Sequence, residues 1–163
     1  GSDNTSIFLV GWDAMKTSLI FPKNTTAGLQ MDDHGKQITQ DDNGNDFTAW
    51  ISEFNWRLGL QVRDWRYNAR ICNIDVSDLN TVANTKELIT WMIMASERIE
   101  AIEGAKFSWY VNRTIREKLR IGIQEKIGNN LSWETVSGRR VMMFDDIEVG
   151  RVDAILNTEA RVV

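Results

Sequence analysis

An α+β fold of mixed type is predicted for this chain, not a repeating βαβ array. Three observations carry that prediction. Period-2 alternation of apolar and polar residues marks the first half, most clearly from Phe54 to Val62. Two apolar stripes at helical spacing follow, and alternation returns after Arg139. The order is thus β-rich, then helix–strand–helix, then β, with no internal repeat and no low-complexity segment. At 163 residues, 42% of them hydrophobic and seven of them tryptophan, the chain has the material for a packed core and not the composition of a disordered one.

Ser6–Trp12 reads as the first strand, with Gly11 marking a bulge or a close backbone approach. Ile7 to Val10 is apolar on both faces, which places it inside a sheet. Order starts so early that the chain reads as a piece of something longer. Thr17–Phe21 is a second short apolar run, stopped by Pro22, the sole proline. Residues 23–46 are polar and rich in turn formers, and read as a protruding loop or hairpin. Asn43-Gly44 predicts a type I′ turn with arms at 36–40 and 47–51. The stretch Phe54–Asp75 reads as the longest strand. Its apolar phase runs through Phe54, Trp56, Leu58, Leu60 and Val62, then shifts to Trp65, Tyr67, Ala69 and Ile71. A bulge near Arg63-Asp64, or a bend between two sheets, would absorb the odd step.

Ser77–Asn84 is a connector. Leu88, Met92, Ala95, Ile99 and Ile102 then form one helical stripe, widened by Trp91 and Ile93. Asn84 to Glu87 has the form of a capping box, and Gly104 is placed to end the helix. Lys106–Val111 reads as a strand. A second helix carries Ile115, Leu119, Ile123 and Ile127, capped by the box Thr114–Glu117 or one turn earlier by Asn112, and stopped at 128–130. Arg140–Phe144 and Ile147–Val152 flank Asp145-Asp146 as a hairpin, Ser137-Gly138 is a turn leading into it, and 159–163 reads as a final strand.

Composition narrows the function classes. A formal charge of -4 argues against a general nucleic-acid binder. One cysteine, Cys72, excludes an intramolecular disulfide and is expected to be a small half-buried residue in an intracellular, reducing setting. No apolar run approaches the ~20 residues of a membrane span, and no signal peptide opens the chain, so no membrane partner is expected. His34, the single histidine, shares a segment with Asp32 and Asp33, too few ligands for a structural zinc site. Asp41-Asp42-Asn43-Gly44-Asn45 lacks the order of a calcium loop and the closing glutamate. No phosphate loop and no nucleophile elbow occurs, so no cofactor is expected. A hydrolase built on Cys72 and His34 is a remote alternative, unsupported by any local signature. The carboxylate pairs Asp32/Asp33 and Asp145/Asp146 fall at predicted turns, where solvation would keep them from acid–base work. What remains is a basic stripe. Arg113, Arg116 and Arg120 follow i, i+3, i+7 beside the apolar stripe, with Lys118, Lys126 and Arg139-Arg140 near. It reads as a solvated helix face, an intersubunit ion-pair surface, or a patch facing a polyanion.

Three segments taken together resemble one group of tailed-bacteriophage major capsid proteins: GSDNTSIFLVGW, WRLGLQVRDWRYNARICNID, and FSWYVNRTIREKLR followed by VSGRRVMMFDDIEVGRVDAILNTEARV. Their order matches, and the resemblance runs over nearly the whole chain. It implies a subunit of the phage-capsid shell fold, shared with encapsulins and the herpesvirus capsid floor. Such subunits carry an N-terminal arm, an extended hairpin loop, a peripheral domain with a long spine helix, and an axial domain. This chain departs from that pattern by being short, with no arm and no helix before its first strand. The resemblance therefore implies the C-terminal half of a subunit, a single capsid-like domain over 1–163: an axial domain with adjoining peripheral-domain strands, two main helices packed on a β-sheet. It also implies no enzyme activity and a virion location, with assembly in the host cytoplasm. The implied partners are further copies of the same chain, a scaffolding protein, and double-stranded DNA enclosed without sequence-specific binding. A phage-related binding or tail-associated module is the alternative. The expected subunit contacts are residues 23–46 together with Arg63, Arg66, Arg113, Arg116 and Arg120.

Overall fold

A computed structural model of the chain describes residues 3–100, 104–124 and 130–162. They divide into two compact units, the smaller spanning Ser18–Gln61 and the larger the rest.

In the larger unit, strand β1 (Asn4–Trp12) lies between two antiparallel neighbours, β6 (Asn68–Asp75) and β7 (Lys106–Val111). This is the interior position that its two apolar faces demand. Beyond β7 the sheet continues with β10 (Ile147–Arg151), which is parallel to β7. Then come β9 (Arg139–Phe144) and β8 (Leu131–Val136), both antiparallel to their neighbours. Helices α1 (Val82–Ser96) and α2 (Arg113–Gln124) contribute to one core with the sheet. Trp109 sits at its centre, fully buried, paired in register with Leu9 on one side and Val149 on the other. Its ring meets Phe144 edge-on, with 5.8 Å between centroids and 79° between planes. Leu88 and Met92 of α1, Ile115 and Leu119 of α2, and Ile7 of β1 complete that core, each fully buried.

Gly11 is a close approach, as its place in a strand predicts. A Cβ there would lie 2.8 Å from the Phe107 ring and 3.0 Å from the Tyr67 carbonyl. The bulge of this sheet lies elsewhere than expected. Thr5 pairs with Ile74 and Ile7 with Ile71, so Cys72 and Asn73 together oppose Ser6. Asn73 takes φ 60° to make that extra step, which turns Ile74 into the core. Its carboxamide then holds the tail, donating to the Val162 carbonyl at 2.8 Å and accepting from the Val162 amide at 2.8 Å.

The entry of α1 differs in detail from the sequence reading, and that of α2 settles on one of its two alternatives. Helix α1 starts before the expected box, because the Thr81 hydroxyl accepts from the Asn84 amide at 3.3 Å. It ends at Ser96, well short of Gly104, and Ile99 is buried from the turn beyond. Helix α2 uses the earlier of its two possible caps. Buried Asn112 accepts from the Ile115 amide at 2.8 Å, donates to the Thr5 hydroxyl at 2.9 Å, and also donates to Asn157. Ile102 and Ile127 of the two stripes, and the stop at 128–129, lie outside the described residues. Gly122 of α2 lets the helices close, since a Cβ there would stand 3.2 Å from Thr85 of α1.

Asp145-Asp146 forms the expected hairpin turn, with φ of 46° and 64°. Ser137-Gly138 is also a two-residue turn (φ 49° and 77°), and it joins β9 to β8, a strand the sequence reading did not anticipate. The final strand expected over 159–163 does not form among the described residues. Glu159 makes one isolated bridge to Asn4, and side chains hold the tail in place of a ladder.

The expected long strand Phe54–Asp75 is a correction. It breaks into the end of one strand, an irregular turn, a four-residue strand, a 3-10 turn at Trp65–Tyr67 and β6. Asp64 causes the second break. Its carboxylate caps the turn through the Arg66 amide at 3.1 Å and binds the Arg66 guanidinium at 3.0 and 2.9 Å.

In the smaller unit, β2 (Thr17–Ile20) lies beside β5 (Gly59–Val62), and β3 (Gln30–Gln40) pairs along its length with β4 (Asp46–Asn55). The hairpin arms are about twice as long as the sequence predicts. Its turn is not type I′. Among the described residues of the loop only Gly44 has positive φ, at 81°, and the Asp41 carboxylate accepts from the Asn43 and Asn45 amides at 2.9 Å each. A five-residue loop, 41–45, with one left-handed glycine is the result. The cross-strand pairs Met31–Phe54, Lys36–Trp50 and Ile38–Thr48 share one face. Trp50 and Ile38 on it are 76% and 75% exposed, so the alternating apolar side of this stretch covers nothing of its own unit.

Three outcomes follow from this packing. Trp109→Ala should cost about 3–5 kcal/mol of unfolding free energy in urea titration. Asn112→Ala should cost about 1–3 kcal/mol, since it removes a helix cap and strands buried partners. The hydrogen bonds at Asp41, foremost from the Asn45 amide and carboxamide, hold its carboxyl below the ordinary aspartate range. A lowered folded-state value means the ionised form is the bound one. Its ordering of the loop is complete above the ordinary aspartate range and is lost as pH falls through the lowered value. Amide exchange at Asn43 and Asn45, measured by NMR from pH 6 downward, should rise relative to the β3–β4 ladder only in that acid window.

Candidate functional site: an arginine-lined groove

The basic stripe of the sequence reading becomes a groove. Arg113, Arg116 and Arg120 stand on one side of α2, where i, i+3, i+7 spacing stacks them. The neighbouring wall comes from β8 and β9. Trp133 is opposite Met142 in their register, so Arg140, two residues earlier on β9, lies diagonal to Trp133 on the same face. The Arg120 and Arg140 guanidinium carbons lie 5.7 and 5.1 Å from the Trp133 ring centroid. With Arg151 at the end of β10 they bound a groove of about 690 Å³, into which Glu117 is the one acidic side chain to reach among the described residues.

The electrostatics separate two kinds of arginine. Arg151 is bound to Asp153 through two bonds of 2.7 Å, Arg66 to Asp64, and Arg70 to Glu159 at 3.1 Å. These pairs lower the carboxyl values of Asp64 and Asp153, through the arginine hydrogen bond in each case. Arg113, Arg116, Arg120 and Arg140 have no carboxylate within ion-pair distance among the described residues. The Nε of Arg116 is buried there without a hydrogen-bond partner among the described residues.

The five arginines singled out in the sequence thus fall in two places. Arg113, Arg116 and Arg120 converge; Arg63 and Arg66 do not join them. Arg63 is exposed beside Met15, and Arg66 borders a second groove, of about 620 Å³, between β6 and α1. Trp65, Trp91 and Met94 give that groove an apolar lining, with Cys72 half-buried in its wall. Trp133 and Arg151 of the first groove escaped the sequence reading. The alternation of Leu131, Trp133 and Thr135 was the available signal, for it marks the strand that sets Trp133 opposite β9.

The chemical alternatives come out as follows. His34 sits at a bulge of β3, exposed, with Nε2 3.2 Å from the Glu53 carboxylate. Cys72 belongs to the larger unit and His34 to the smaller, so no thiol–imidazole pair forms within either. Asp32 and Asp33 lie on exposed β3 and not at a turn, and Asp145 and Asp146 are exposed at theirs. Among the described residues no three His, Cys, Asp or Glu side chains gather as a metal would require, and no described helix is long and apolar enough to cross a membrane.

A fold like this one, a mixed sheet with two helices on its core, is also found in a bacteriophage structure. A chain in the near-atomic structure of bacteriophage epsilon15, derived from cryo-EM and modelling, matches with a TM-score of 0.62 at 36% identity, over 99% of this chain's residues and 49% of its own. This chain therefore spans about half the length of that relative. A family model described as major capsid protein GP7 matches residues 1–163. The chain belongs to this family of bacteriophage major capsid proteins. No curated protein matches it.

Proposed function

We propose that the chain is part of a shell-building subunit, that its work is association with copies of itself in capsomers, and that it breaks no covalent bonds. The family match over residues 1–163 carries this reading. The surface supports it. Trp50, Trp56, Trp65 and Phe54 are each at least 60% exposed, an unusual use of aromatic side chains unless something covers them. Aromatic and arginine side chains dominate contact energies, and symmetric repetition turns moderate interfaces into a stable wall. The contact surfaces on this reading are residues 23–46 within the smaller unit, Arg63 and Arg66, and the stripe Arg113, Arg116 and Arg120.

The same reading extends to the other partners. The chain supplies about half of a longer subunit, which lies in the virion capsid after assembly in the host cytoplasm, with a scaffolding protein as helper. A charge of -4 suits a wall that encloses double-stranded DNA and holds it weakly, without sequence preference.

Expression of the complete reading frame should yield closed shells by electron microscopy. A subunit that stays monomeric at high concentration, with and without the neighbouring phage gene products, would sink the proposal.

A further inference from the structure

We propose that the arginine groove of one copy receives the acidic β3–β4 hairpin of a second copy. The inference rests on the shell-subunit reading and names the contact through which neighbours would meet. Three observations lead to it. The groove holds four arginines, Arg113, Arg116, Arg120 and Arg140, that make no ion pair among the described residues. The planar fork of a guanidinium is matched by a carboxylate. The smaller unit has the opposite sign: between Ser18 and Gln61 there are six acidic residues against three basic ones. Asp41, Asp42 and Asp46 crowd the hairpin tip, at the end of arms that reach roughly 35 Å at about 3.4 Å per residue.

The third observation is apolar. Met31, Ile38, Trp50 and Phe54 share one face of the hairpin and are exposed, and the groove offers exposed Ile121 and half-buried Trp133 to meet such a face. Duplex DNA could satisfy the arginines, but it would leave that apolar face in water and would meet a chain of net negative charge. A second copy answers both needs. Because hairpin and groove are different surfaces, the contact is heterologous, of the kind that closes rings.

The test uses the full-length protein in two charge-reversed forms, Arg120→Glu/Arg140→Glu and Asp42→Lys/Asp46→Lys, each checked for an unchanged urea unfolding midpoint. Alone, each form opposes like charges and should associate at least tenfold more weakly than wild type in sedimentation. Mixed one to one, each groove finds a complementary hairpin, and association should return to within about threefold of wild type. With Cys72 and any other native cysteine of the full-length protein replaced by serine, copies carrying Asp42→Cys should form disulfide-linked heterodimers with copies carrying Arg140→Cys. Folded variants that do not rescue one another, while wild type still forms shells, would overturn the docking and leave the shell reading standing. Rescue and cross-linking without shells would do the reverse. Loss of duplex DNA binding in the arginine variant, with normal association in both variants, would assign the groove to nucleic acid and overturn the proposal.

Discussion

Strand β7 is the seam of the larger unit. It pairs antiparallel with β1 along one edge and parallel with β10 along the other, while Phe107, Trp109 and Val111 fill the core from its face. Without it the sheet would fall into a β6–β1 pair and a β10–β9–β8 meander with no ladder between them. The parallel joint has a topological consequence. Two adjacent parallel strands need a long crossover between them, and here Asn112 to Asp146 supply it as α2, β8 and β9. The groove is a by-product of that crossover. Helix α2 must turn Ile115 and Leu119 to the sheet, which sends Arg113, Arg116 and Arg120 to the side where β8 and β9 return.

The arginines that find partners do so by different means. Arg66 with Asp64, and Arg151 with Asp153, pair two residues apart, and such exposed pairs hold local geometry more than they add stability. Arg70 reaches Glu159 and Ser6 and so helps tie the tail to β1 and β6. Among the described residues the other groove arginines, Arg113, Arg116, Arg120 and Arg140, have no ion-pair partner of either kind, although Glu117 stands among them. Their charge is concentrated on one surface of the larger unit, while the excess of acid is concentrated in Ser18–Gln61. A chain that is mildly acidic in sum is thereby polarised in detail, which a net charge conceals.

Much of the larger unit was legible in the sequence because its signals are local. Lys106–Val111 has a strand's period and matches β7 end to end. Asp145-Asp146 reads as a hairpin because two short polar residues tolerate positive φ. Asn112 was visible as a possible cap, although only coordinates show that its amide also reaches Thr5, 107 residues away. What stayed hidden was non-local. The shift of phase after Val62 signals an odd step, yet the sequence cannot distinguish a bulge from a break. Asp64 makes the break, and the bulge falls at Asn73 instead. The groove was half legible: helical spacing groups three arginines on α2, while Arg140 and Trp133 join them only through the register of β8 on β9. The resemblance to capsid proteins carried what spacing could not.

The alternation from Phe54 to Val62 shows the limit of pattern most clearly. A period of two states that a strand has an apolar side; it is silent about what lies over that side. In β1 the cover is the chain's own helices, and Leu9 is buried to 1% exposure. In β4, Phe54 has the same pattern and is 60% exposed. Two paired strands have two faces and no interior, so a long hairpin is marginal in water by itself. On the shell reading this is a coupling, since the interactions that complete the hairpin are those that join one subunit to the next. On that reading the apolar residues of the hairpin answer to a neighbour's surface more than to the core of their own chain.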